Sequence, residues 1–160
     1  MRLTLAAVGR LKDGAERSLC ERYVERLKAS GRQLGIKSVT VRELSEARHA
    51  TALTRKDDEA RRLIDAVDDA SVVIALDETG RGLTSAQLAE TLERWRDGGE
   101  AHVAFVLGGP DGHGPALLER ASLTLALGPM TFPHGLARIV IAEQLYRAST
   151  ILAGHPYHRV

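Results

Sequence analysis

The chain has 160 residues, 44% of them hydrophobic and 27% charged, with a formal net charge of +1. That length makes one domain and buries roughly 70% of the unfolded chain's surface, enough for a real core. A charge so near zero excludes nucleic-acid binding through a global positive field, so any RNA contact must come from a local basic patch. The single cysteine, Cys20, excludes an internal disulfide and fits a reducing compartment. Set among Leu19, Tyr23 and Val24, it reads as a buried, inert thiol. No apolar run nears the ~20 residues of a membrane span, and Arg2–Val8 is too short for a signal peptide. The expected location is cytoplasmic.

Leu3, Leu5 and Ala7 alternate with Thr4 and Ala6 ahead of Gly9, which predicts a first strand. Asp13 and Gly14 open a helix on which Leu19, Tyr23, Val24 and Leu27 recur at helical spacing, and Gly31 ends it. Ile36, Val39 and Val41 predict a second strand. Residues 47–55 are polar and unpatterned and read as a loop. A second helix is expected from Lys56, with Ala60, Leu63, Ile64 and Val67 on one face. Asp57, Asp58 and Glu59 would lie in its first turn, where carboxylates suit the helix dipole. Val72–Leu76 is a continuous apolar run ending in Asp77-Glu78-Thr79-Gly80, the pattern of a strand covered on both faces inside a parallel sheet. Thr84 or Ser85 caps the next helix, Leu88, Leu92 and Trp95 face inward, and Gly98-Gly99 stops it. His102–Leu107 predicts another central strand, Pro115–Ala121 a short helix, Leu123–Leu127 a fifth strand and His134–Leu152 a last helix. This unbroken alternation predicts a single α/β domain over 1–160. Its sheet should be mostly parallel, five- to six-stranded, flanked by helices and joined by right-handed crossovers.

Three of the apolar strands run into loops bearing glycine or proline: Asp77–Gly80, Gly108–Gly114 and Gly128–Pro133. Ligands in open α/β sheets sit outside the carboxyl ends of strands. Gly108–Gly114 fits no GxGxxG frame, and no Gly-Lys-Ser/Thr follows it, so neither a dinucleotide fingerprint nor a P-loop is present. If the three strands are neighbours, their loops converge on a pocket walled by backbone and small residues, with few side-chain charges. Such a pocket suits a flat, mostly neutral group such as adenine, held by main-chain N–H and C=O groups. A plain tight turn is the competing reading of the glycine loop.

The last helix is apolar around most of its circumference, which predicts burial nearly all round. As the final helix of a small domain it should keep one free face, and a symmetric dimer is the natural cover. Glu143 and Arg147 are i,i+4 partners and read as a structural ion pair. The tail Tyr157-His158-Arg159 combines a stacking ring, an imidazole and a guanidinium, the groups that hold an unstacked base and its phosphate; a frayed terminus is the alternative. His49, His102, His113, His134 and His155 are scattered without zinc-ligand spacing, so no metal is expected. No GxSxG elbow appears.

Four segments, Phe105–Gly112 (FVLGGPDG), Met130–His134 (MTFPH), Ile141–Ala148 (IAEQLYRA) and Pro156–Arg159 (PYHR), resemble the bacterial ribosomal RNA large subunit methyltransferase H family of the SPOUT class. Val8–Lys12 and Leu76–Gly80 also match, so the resemblance spans the chain and is densest after Phe105. It implies an S-adenosylmethionine-dependent enzyme that methylates N3 of a pseudouridine in 23S rRNA on the assembled ribosome. It implies a homodimer, and a C-terminal trefoil knot and cofactor pocket within about 72–152. The implied cofactor contacts are Leu76, Gly108, Gly109, Leu127, Gly128, Pro129, Met130, Thr131 and Phe132. Residues 155–160 would be the substrate arm, reaching across the dimer. Gly128-Pro129 departs from the more polar pair, such as Ser-Lys, that the family pattern suggests; backbone-mediated binding survives that change.

A sulfonium methyl is already activated, so the enzyme supplies mainly proximity and alignment. The weakly acidic N3 proton must leave, and a nearby base helps without having to be strong. His158 is the candidate base or orienting group, beside Tyr157. Arg159 or Arg138 is the candidate to stabilise a developing oxyanion or bind phosphate. Two other readings stay open. The same pocket could serve a different RNA base, or the chain could be a non-enzymatic dimer that binds a nucleotide or the ribosome.

Overall fold

Five strands, β1 (Arg2–Val8), β2 (Ser38–Leu44), β3 (Val72–Gly82), β4 (His102–Leu107) and β5 (Leu123–Ala126), form one sheet in a computed structural model that describes residues 1–159. Every pairing is parallel and the order is β2-β1-β4-β3-β5. The crossovers carry helices α1 (Ala15–Gly31), α2 (Ala52–Ala66), α3 (Ser85–Asp97) and α4 (Pro115–Arg120), and α5 (His134–Leu152) follows β5. A short 3-10 turn, Arg32–Leu34, links α1 to β2.

Alternation along the strands sorts the core into two layers. Leu3, Leu5, Ile74, Val103 and Phe105 point to the face covered by α1, α3 and α5. Ala6, Val8, Val73, Ala104 and Val106 point to the face covered by α2 and α4, where Leu63 and Leu117 meet them. All six residues of β4 are buried, as a strand at the centre of a doubly covered parallel sheet must be. His102 opens that strand as a core residue: it is 2% exposed, and its Nε2 lies 2.8 Å from the Thr4 hydroxyl.

Two boundaries differ from the sequence pattern. Helix α2 begins at Ala52, inside the stretch expected to be loop, because Thr51 caps it by accepting from the Thr54 amide at 3.2 Å. Its first turn carries no buried apolar residue, and Leu53 is exposed, so no periodicity marks the start. Asp57, Asp58 and Glu59 consequently fall in the second turn, and Glu59 is buried. Strand β3 runs past Leu76 to Gly82, where the sequence reads as a turn. Its pairing with β5 slips between Leu76 and Arg81, and the Asp77 carboxylate accepts from the Thr79 amide and hydroxyl within that slip. The strand therefore bulges and resumes.

Gly80 makes the resumption possible. A Cβ there would lie 2.7 Å from the Leu125 backbone of β5. The expected outcome of Gly80→Ala is a loss of about 1–3 kcal/mol, the usual cost of overpacking a core, measured by urea denaturation. An unchanged midpoint would contradict this packing.

Candidate active site

Strands β4, β3 and β5 are neighbours, so the loops at their carboxyl ends open on one side. Together they enclose a cavity of about 300 Å³, closed at one end by the start of α5. Leu76, Gly108, Gly109, Leu127, Gly128, Met130, Thr131 and Phe132, all expected as cofactor contacts, line it. Pro129, the other expected contact, is exposed and lies outside the lining.

The glycine loop is built for close approach. Pro110 and Asp111 form the corner of a turn closed by the Gly112 amide donating to the Gly109 carbonyl at 2.9 Å, with Gly112 at φ 84°. A Cβ on Gly109 would stand 2.5 Å from the Glu59 carboxylate, and one on Gly108 would stand 3.0 Å from the Gly112 backbone. Arg55 ties the corner to α2 through Asp111 at 2.7 and 3.2 Å. That bond holds the Asp111 carboxyl below its ordinary value. The loop thus offers bare main chain to the cavity on a braced frame.

The lining contains Asp77, Glu78 and Asp111 but no lysine or arginine. The sequence pattern had suggested few charges; the bulge in β3 turns Asp77 and Glu78 into the cavity wall. Burial works against the Asp77 carboxylate, but bonds from Thr79 outweigh it and hold its pKa below the ordinary value. A wall of carboxylates repels phosphates and welcomes a cation.

His113 is the residue that sequence reasoning missed. It is 5% exposed and lies in the lining, and its Nε2–H donates to the Leu76 carbonyl at 3.0 Å. Spacing could not reveal it, because the contact joins positions 37 apart. Burial pushes its imidazole below the ordinary value of 6.5, outweighing the opposite pull of the Leu76 carbonyl and of Asp77.

Arg138 lies outside the lining of this cavity. It is 2% exposed, and its guanidinium donates to Glu43 at 2.5 Å and to the Gly9 carbonyl at 2.9 Å. It fastens α5 to the ends of β1 and β2, so its charge is spent inside the fold. The Glu143–Arg147 ion pair forms as the spacing predicts, at 2.6 Å.

The tail is ordered against its own α5. The Tyr157 hydroxyl donates to Glu143 at 3.0 Å, its ring centroid lies 4.7 Å from that of Tyr146, and the Arg147 guanidinium lies 4.8 Å from the Tyr157 centroid. Burial, then the Glu143 bond, push the Tyr157 phenol well above its ordinary value. His158 lies 3.4 Å from Arg147. Tyr157, His158 and Arg159 do not line the cavity of their own chain. From His134 at the cavity to Arg147 beside the tail, α5 runs roughly 20 Å at about 1.5 Å per residue.

Fold and cavity together define an α/β protein with a largely backbone-walled cavity at the carboxyl edge of a parallel sheet. A family model described as "Predicted SPOUT methyltransferase" matches residues 1–158, and the chain belongs to that family of methyltransferases. It is 52% identical over 159 residues to "Ribosomal RNA large subunit methyltransferase H" of Brucella anthropi and 48% identical over 159 residues to the protein of that name in Bradyrhizobium diazoefficiens. Each match covers 99% of both chains. The fold is similar to a solved probable methylase family protein from Haemophilus influenzae, with a TM-score of 0.53 and 13% identity over 99% of this chain and 70% of that one. Among the described residues, no group of three or more His, Cys, Asp or Glu could hold a metal ion, and no helix is long and apolar enough to cross a membrane.

Two measurements check these assignments. Arg138→Ala removes a buried guanidinium, but Glu43 keeps Arg17 at 3.4 Å and the Leu11 amide at 2.9 Å, so the loss should be about 1.5–3 kcal/mol in denaturant unfolding, the worth of hydrogen bonds to a charged group; a loss below about 1 kcal/mol would contradict this structural role. Burial disfavours protonation of His113 in the fold, whereas its unfolded counterpart takes up a proton below about 6.5. Stability is therefore lost as pH falls below that value. The melting temperature should be lower at about pH 5.5 than at about 7.5, by less in His113→Gln than in the parent. Equal drops in both proteins would contradict a neutral buried imidazole.

Proposed function

We propose that the chain uses S-adenosylmethionine to methylate N3 of a pseudouridine in 23S rRNA of the assembled ribosome, as a cytoplasmic homodimer. The observation that carries this reading is the cavity itself: backbone-walled, edged by Asp77 and Glu78, with Asp111 paired to Arg55, and with no lysine or arginine in its lining. That electrostatic character disfavours a phosphate-bearing nucleotide and suits a ligand with a sulfonium and an ammonium. Relatives about half identical over their whole length carry a name that specifies large-subunit rRNA. The net charge of +1 suits a substrate met as a folded particle instead of free RNA. The whole of 1–160 serves as one catalytic domain, with the knot and the cofactor pocket within about 72–152.

The bound cofactor supplies an activated methyl group. Leu76, Gly108, Gly109, Leu127, Gly128, Met130, Thr131 and Phe132 would hold it, with Gly128 lending backbone alone and Pro129 outside the lining. Asp77 and Glu78 favour its positive charge. What remains is to present N3 in line and take its proton. His158 is the candidate to receive or orient that proton, and Arg159 the candidate to steady the adjacent carbonyl oxygen as charge develops. Tyr157, its phenol held protonated, serves as a stacking surface.

The arm is roughly 20 Å from its own cavity along α5. It therefore completes the cavity of a second copy, and α5 keeps a partly exposed stripe of Leu136, Val140, Glu143, Arg147 and Ile151 for that copy to cover.

Nucleoside mass spectrometry of 23S rRNA from strains with and without the gene tests the reaction. Loss of one N3-methylated pseudouridine on deletion is expected; an unchanged profile sinks the assignment. A mixture of a Gly109→Glu chain and a His158→Ala/Arg159→Ala chain tests the shared site. Random pairing of the two inactive chains should restore roughly a quarter of parental activity, and no recovery would place arm and pocket in one chain.

A further inference from the structure

Leu76 is the last residue of β3 in register with both neighbours, opposite Leu107 of β4 and Leu125 of β5. Beyond it the sheet opens and the cavity begins. At that point the His113 side chain reaches back from the end of the glycine loop to the Leu76 carbonyl. A carbonyl can only accept, so Nε2 carries a proton, and burial of the ring disfavours a second one on Nδ1. Nδ1 is enclosed without a hydrogen-bond partner, and a Cβ on Gly108 would approach it to 3.1 Å. The ring therefore spans from the glycine loop to the end of β3, two of the three walls of the cavity.

We propose that His113 is a positioning residue of the cofactor pocket, whose imidazole fixes the Leu76 carbonyl and the Gly108 backbone in the arrangement that receives the adenosyl group. The inference rests on the reading of the cavity as an S-adenosylmethionine site and adds a residue that touches its walls. Two features separate it from a filler of space. First, burying a polar imidazole that reaches the Leu76 carbonyl is a costlier way to fill a gap than an apolar side chain. Second, the ring lies beneath a pocket meant for a cation, where a neutral form is compatible with the ligand and a protonated form repels it. The charged groups that act on the ring are Asp77 on β3 and Lys56 on α2; Asp111 on the glycine loop and His134 on α5 share the cavity lining with it, and Glu59 on α2 lies against Gly109. Asp77 draws a proton toward the ring and Lys56 opposes it, but burial outweighs both.

The test is calorimetry with S-adenosylhomocysteine and S-adenosylmethionine on the purified full chain and on His113→Ala and His113→Gln. Glutamine keeps an N–H that can reach the carbonyl; alanine does not. His113→Ala should bind S-adenosylhomocysteine roughly three- to tenfold more weakly, the worth of one hydrogen bond, and His113→Gln should recover most of that loss. Lowering the pH should weaken S-adenosylmethionine more than the uncharged-sulfur product in the parent, and this gap should shrink in His113→Gln. Parental affinity in a folded His113→Ala, or a glutamine variant no better than the alanine one, overturns the positioning role. Failure of the parent itself to bind either ligand overturns the cofactor reading beneath it, and is distinguishable because it needs no variant.

Discussion

Three parallel strands end side by side, and the candidate site depends on that adjacency. Because β3 lies between β4 and β5, the loops that follow Leu76, Leu107 and Ala126 share one opening. Parallel pairing is what puts all three carboxyl ends on the same edge. The glycines then let main chain approach main chain, and the bonds from Arg55 to Asp111 and from His113 to Leu76 keep the loops from collapsing into the space between them.

The second constraint is α5. Its first turn closes the cavity, its middle is bolted to β1 and β2 by Arg138, and its last turns carry the Tyr146–Tyr157 contact that orders the tail. One helix thus separates two sets of functional groups by its own length. That separation, together with the packing of Tyr157 against α5, is the geometric argument for the proposed dimer.

Much of this was legible in the sequence. The alternation of strand and helix patterns predicts the parallel sheet, and apolar runs closed by glycine predict which strand ends form the pocket. Eight of the nine expected cofactor contacts line the cavity, and Pro129 does not. Features set by tertiary contact were not legible. The start of α2 depends on a threonine cap instead of an apolar face. The extension of β3 depends on an Asp77–Thr79 hydrogen bond that reads locally as a turn. Arg138 looks like a free guanidinium until Glu43 is found beside it, and His113 looks like one scattered histidine among several until Leu76 is found against its ring. Periodicity reports which face is buried, but it is silent about which partner a buried polar group will meet.

The account stands or falls on the kind of ligand the cavity accepts. The most direct measurement is calorimetric comparison of S-adenosylmethionine with ATP on the purified chain without added metal. A cavity edged by carboxylates and built without a phosphate cradle predicts saturable binding of S-adenosylmethionine and none of ATP. Binding of ATP as tight as that of S-adenosylmethionine would contradict it.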